Sequence, residues 1–187
     1  MRSLAHECAV RVDARSAECL VFTFKEGLLS AVAHDLKIRG TKFVIEGDEH
    51  ARTLDARFDA RSLRVVCAMN GGVESRGTLS TANKREIESK ILRDVLEAEQ
   101  YPEIHFEASS IDEKGDGYVV KGTLTLHGRR RQISVRARRD GDRYVAEASI
   151  HQPDFGIRPY SAMFGTLRVQ ADLTVRVSVP IPSTVGV

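Results

Sequence analysis

The chain has 187 residues, 42% of them hydrophobic and 29% charged, the balance of a globular protein rather than a disordered or membrane-embedded one. That length fits one domain, which can bury roughly 70% of its unfolded surface without staples. The 28 basic and 26 acidic side chains leave a net charge of +2, so no global electrostatic drive toward nucleic acid exists, and no apolar run is long enough to span a bilayer.

The opening stretch MRSLAHECAVRVDARS lacks the apolar segment of a secretion signal. Cys8, Cys19 and Cys67 are odd in number and lack metal-type spacing. Free thiols in a reducing, cytoplasmic setting are therefore expected.

In chain order, apolar residues alternate with polar ones at Leu20, Phe22 and Phe24, at Leu36 and Ile38, at Phe43 and Ile45, and at Leu54, Ala56, Phe58 and Ala60. A period of two predicts strands with one dry face. From Ser80 to Gln100 the spacing changes: Ile87, Ile91, Leu92, Val95 and Leu96 recur as on a helix, Ser80 or Thr81 can cap it, and Tyr101-Pro102 ends it. Between Tyr101 and Arg139 three alternating segments are divided by Gly115-Asp116-Gly117 and His127-Gly128, the pattern of an antiparallel meander. Tyr144, Ala146, Ala148 and Ile150 continue it, and Leu167, Val169, Ala171, Leu173, Val175, Val177 and Val179 form the longest alternation of all. Gly27, Gly40, Gly47-Asp48, Asn70-Gly71-Gly72 and Asp140-Gly141 supply further turns. At least eight strands fit, and so many half-apolar strands must either pack as two sheets or curl until the edges meet. With no seam between halves, closure is favoured: an all-β, antiparallel eight-stranded barrel, one helix at its flank.

Four segments carry a family resemblance. VAHDLKIRGTKF (Val32 to Phe43), YPEIHFEASSI (Tyr101 to Ile111), VKGTLTLHGRRRQISV (Val120 to Val135) and Phe155-Gly156-Ile157 resemble, in the right order, the motifs of the YceI-like family of lipocalin-like, polyisoprenoid-binding barrels. The resemblance covers roughly residues 10 to 180. It implies a single barrel domain with a helical flap and an elongated apolar cavity for an isoprenoid chain, such as a quinone tail or a prenyl phosphate. Many members carry a secretion signal, of which the opening residues here show no apolar segment, and Arg85-Glu86-Ile87-Glu88 stands where members often have Arg-Asp-x-His-Leu.

On this reading the protein binds, carries or sequesters an isoprenoid or similar amphiphilic lipid and is not an enzyme. The cavity wall would draw on Phe22, Phe24, Leu36, Ile38, Phe43, Phe58, Phe106, Leu124 and Phe155, while His34, Arg158 and Tyr160 would serve a polar head near the mouth. The alternative that the Phe rings simply fill the barrel stays open. So does an enzyme using His34 as acid or base, although Asp35, its neighbour on a strand, points to the opposite face and is badly placed to orient it. A third alternative uses Arg129-Arg130-Arg131 to bind an anion, a membrane surface or RNA. His105, His127 and His151, like His6 and His50, lack paired ligand spacing, so neither metal nor cofactor is expected. Ser109 and Ser110 lie in no nucleophile elbow. The apolar run Phe155 to Gly165 suits a lid over the mouth or a homodimer contact.

Overall fold

The computed structural model describes residues 9–26, 34–48, 51–162 and 167–181. Cys8, His6, His50, the Gly27 turn and the Met163-Phe164-Gly165 part of the apolar run lie outside the described residues. In chain order the strands are β1 (Ala9–Asp13), β2 (Glu18–Glu26), β3 (Asp35–Gly40), β4 (Phe43–Asp48), β5 (Thr53–Asp59), β6 (Leu63–Asn70) and β7 (Val73–Ser75). Helix α1 (Thr81–Lys90) follows, then β8 (Glu103–Lys114), β9 (Gly117–Leu126), β10 (Arg129–Asp140), β11 (Arg143–His151), β12 (Ser161–Ala162) and β13 (Leu167–Pro180).

All thirteen strands join one antiparallel sheet in the order β1-β4-β5-β8-β9-β10-β11-β13-β2-β3-β6-β7, with β12 beside β13. The sheet curls around a central cavity. This corrects the expected eight-stranded closed barrel: among the described residues the ladder is an open path whose end strands, β1 and β7, do not pair with each other.

The strand count rises because β1, β6, β7 and β12 lie outside the alternating segments read from the sequence. β1 turns into β2 through a loop closed by Ala17 N to Asp13 O at 2.8 Å. β5 turns into β6 through a short 3-10 turn, Ala60–Ser62, where the Asp59 carboxylate accepts from Arg61 N at 3.0 Å. Hydrogen bonds from the Arg61 and Lys42 side chains hold the Asp59 carboxyl well below the usual carboxylate range. Buried Ser62 ties this corner to the one between β3 and β4: its carbonyl accepts from Thr41 N at 3.2 Å and its hydroxyl from Lys42 N at 3.1 Å.

The expected helix over 80–100 is divided. Ser80 and Asn83 form a reciprocal capping box, which fixes the start of α1. After Lys90 the chain passes into a π-helical stretch, Ile91–Val95, with Leu96 N bonded to Ile91 O at 2.9 Å. The helix covers a sheet edge, since β7 pairs only with Ala68 to Asn70 of β6. There Glu88 Oε1 accepts from Val65 N and Lys84 Nζ donates to Val66 O, both at 2.7 Å. Side chains thus satisfy backbone groups that would otherwise be open to another strand.

Candidate functional site

The curled sheet encloses a cavity of about 1580 Å³, above the roughly 300–1,000 Å³ of ordinary small-molecule sites. Its wall is mainly aliphatic because the alternating strands turn their apolar face inward. Ile133, Val135 and Ala137 of β10, then Tyr144, Ala146, Ala148 and Ile150 of β11, contribute as the periodicity predicts. So do all the alternating residues of β13 except Ala171. The wall continues through Leu36 and Ile38 of β3, Leu54, Ala56 and Phe58 of β5, Ile104 and Phe106 of β8, and Leu124 of β9.

The phenylalanines do not fill this space. Phe58 and Phe106 line it, while Phe43 is buried behind it with its ring 5.5 Å from that of Phe58. Phe155 is only 2% exposed and packs in the core without reaching the cavity wall. Phe22 and Phe24 stand on the outer face, and their expected place on the inner wall is corrected. The wall of β2 is made by Cys19, Val21, Thr23 and Lys25. Both faces of this strand are apolar, so alternation could not choose between them. Outside, Leu20 lies opposite Arg176 on one side and Arg39 on the other. The Arg176 guanidinium sits 5.3 Å from the Phe22 ring centre, so arginine stems can cover what the cavity does not. Burial, and secondly the charge of Glu18, pushes the Cys19 thiol up to about 12.

Polar groups gather at the two ends. At one end, where the β4–β5 and β8–β9 hairpins turn, the cavity reaches Asp48, Arg52, Thr53 and Glu113. At the other it reaches Lys25, His34, Asn83, Glu86, Lys90, Gln152, Tyr160 and Arg168. Here α1 meets the segment after β11: Lys90 Nζ bonds to Glu86 Oε1 at 2.7 Å and lies 5.9 Å from the Tyr160 ring centre. Glu86, and then Tyr160, raise the Lys90 pKa, and Lys90 in turn lowers that of Glu86.

Of the three groups expected at the mouth, His34 and Tyr160 line the cavity, whereas Arg158 is exposed and does not. Asp35 does not orient His34. Its carboxylate accepts from Lys25 N at 2.7 Å, just beyond the last paired residues of β2 and β3. The other described histidines are scattered: His105 bonds Asp55 at 2.5 Å, His151 bonds Asp172 at 2.8 Å, and the His127 ring packs 4.4 Å from that of Tyr101. No group of three or more His, Cys, Asp or Glu side chains suited to a metal ion occurs among the described residues.

Gln152 escaped the sequence reading. It is 5% exposed, lines the cavity, and donates to Gln170 O at 3.0 Å beside the irregularity between Val169 and Leu173 of β13. A lone Gln in a turn carries no sequence signal for this role.

The YceI-like domain profile matches residues 11–181. The chain belongs to the YceI-like family. Among solved structures, Burkholderia cenocepacia BcnA shares 15% identity at a TM-score of 0.61, over 90% of this chain and 98% of the other. A polyisoprenoid binding domain from Saccharophagus degradans, implicated in plant cell wall breakdown, shares 12% identity at a TM-score of 0.56, over 93% and 98% of the two chains. At such low identity these likenesses establish a shared YceI-like fold. No curated protein sequence matches the chain.

Proposed function

We propose that this YceI-like protein binds and carries an isoprenoid or similar amphiphilic lipid inside the curled sheet, without transforming it. The observation that carries this reading is the cavity of about 1580 Å³ with a mainly apolar wall and polar groups gathered toward its ends. A wall of that kind offers a long tail an apolar environment, and the polar groups toward its ends can hydrogen-bond a head group. A naive sum supports no large affinity: at ~0.8 kcal/mol per buried CH₂, a tail of tens of carbons would exceed the ~20 kcal/mol ceiling on real complexes. The tail starts in a bilayer, where it is already dry, so selectivity falls to cavity shape and to groups such as His34 and Tyr160. The description of the Saccharophagus degradans relative as a polyisoprenoid binding domain points the same way.

The enzymatic alternative gains no support from the geometry around His34, because Asp35 is engaged with the β2 backbone. Organic extraction of protein purified from cells, followed by mass spectrometry, tests the carrier reading. An isoprenoid-type lipid in stoichiometric amount is expected; an empty extract from protein that also ignores added prenyl quinones removes its basis.

A further inference from the structure

Several arginines on this surface have an acidic neighbour. Arg15 pairs with Asp13, Arg39 with Glu18, Arg76 with Glu74 and Arg176 with Glu147. Others have none among the described residues, and four of these lie on two segments near one end of the cavity. Arg129, Arg130, Arg131 and Arg158 are all exposed, and none forms an ion pair with a carboxylate among the described residues. Asp154, the acidic residue nearest Arg158 in sequence, forms no ion pair with them either.

Two segments bring these cations toward the Tyr160 end of the cavity. Gly156 takes a left-handed conformation, φ 73°, and a Cβ there would stand 2.7 Å from the Arg129 guanidinium carbon, so the glycine lets Arg129 pack against the backbone. Arg158 lies between Ile157 and Tyr160, both on the cavity wall. Arg130 and Arg131 follow Arg129 on a hairpin whose Leu126 also lines the cavity and pairs with Arg129.

We propose that this arginine-bearing end docks on an anionic lipid bilayer, so that a tail passes between bilayer and cavity without crossing water. The inference rests on the lipid-carrying function proposed above. Charge complementarity carries it: each cation held near an anionic membrane surface strengthens partitioning roughly fivefold, and four of them adjoin the one end of the cavity where α1 and Tyr160 meet. RNA is the less suitable partner, because the neighbouring rings that would stack on bases are engaged, Tyr101 with His127 and Tyr160 with Lys90.

Sedimentation with vesicles tests the docking, comparing phosphatidylcholine alone with an equal mixture of phosphatidylcholine and phosphatidylserine. Binding to the mixed vesicles only, weakening as salt rises, is expected. The triple variant Arg130→Ser, Arg131→Ser, Arg158→Ser should lose roughly a hundredfold in partitioning. Lys114→Ser, Lys121→Ser, Arg138→Ser removes the same charge elsewhere and should lose far less. Equal losses in the two triples, no binding to mixed vesicles, or binding to single-stranded RNA in their place would overturn the proposal. Melting of each protein with and without a long-chain prenyl quinone keeps the two claims apart. An intact quinone shift beside absent vesicle binding retires only the docking, whereas an absent quinone shift in the unaltered protein retires the carrier reading.

Discussion

Cys19 occupies a place on the cavity wall where the sequence reading expected bulkier neighbours. Its burial has a consequence for pH dependence. The thiol has an ordinary value of 9.0 and is pushed up to about 12 in the folded chain. Because the folded value is the higher one, the protonated thiol contributes stability in full below pH 9, and that contribution is lost as pH rises from about 9 toward 12. We expect Cys19 to resist thiol reagents in the native state at neutral pH. We also expect a Cys19→Ala variant to lose less stability than the unaltered protein between pH 9 and pH 11, measured by urea unfolding at each pH. Equal losses in both proteins would show that other groups govern alkaline unfolding. His34 and Tyr160 were legible as residues of the cavity because the motifs that carry the family resemblance contain or adjoin them. Phe22 and Phe24 were misplaced because a strand with two apolar faces offers alternation nothing to choose between, and arginine stems cover the face turned outward.

The elements divide in the same way. β10, β11 and, apart from Ala171, β13 were readable to the residue, since each has one wet and one dry face and each wall is set by a period of two. Of the early strands, β2 to β5 were readable as separate alternations, whereas β1, β6 and β7 were not. Their corners depend on contacts distant in sequence, such as Ser62 with Thr41 and Lys42, and these leave no local pattern. The helix start was visible in Ser80, whereas the shift to π-helical bonding after Lys90 was not. Gln152 belongs to this scale as well, because it fastens the turn after β11 to the irregular stretch of β13. Removing its amide in Gln152→Ala leaves the Gln170 carbonyl without its side-chain donor. That should cost about 1–3 kcal/mol, read as a fall in Tm of roughly 2–12 °C for a chain of this length. A Tm unchanged within error would mean that water replaces the amide and that Gln152 is not a structural tie.

For the whole molecule the decisive property is that the sheet curls without filling. A chain with seven Phe and no Trp could have packed its interior solid, and the sequence left that alternative open. Of the six described Phe rings only Phe58 and Phe106 lie on the wall, and small residues such as Ala56, Ala137, Ala146 and Ala148 hold the cavity wide. Because Ala146 points into open space, Ala146→Trp should occupy the room a lipid tail needs while leaving the ladders of β11 intact. Phe22→Ala, on the outer face, should leave the cavity unchanged. The most direct test is therefore the melting temperature of the unaltered protein and of these two variants with a long-chain prenyl quinone at about a hundred times its Kd for the unaltered protein. Binding confined to the native state predicts a gain of about 2.7 kcal/mol, hence a rise of roughly 5–10 °C, in the unaltered protein and in Phe22→Ala but not in Ala146→Trp. An equal rise in all three proteins would place the lipid outside the cavity and contradict the account.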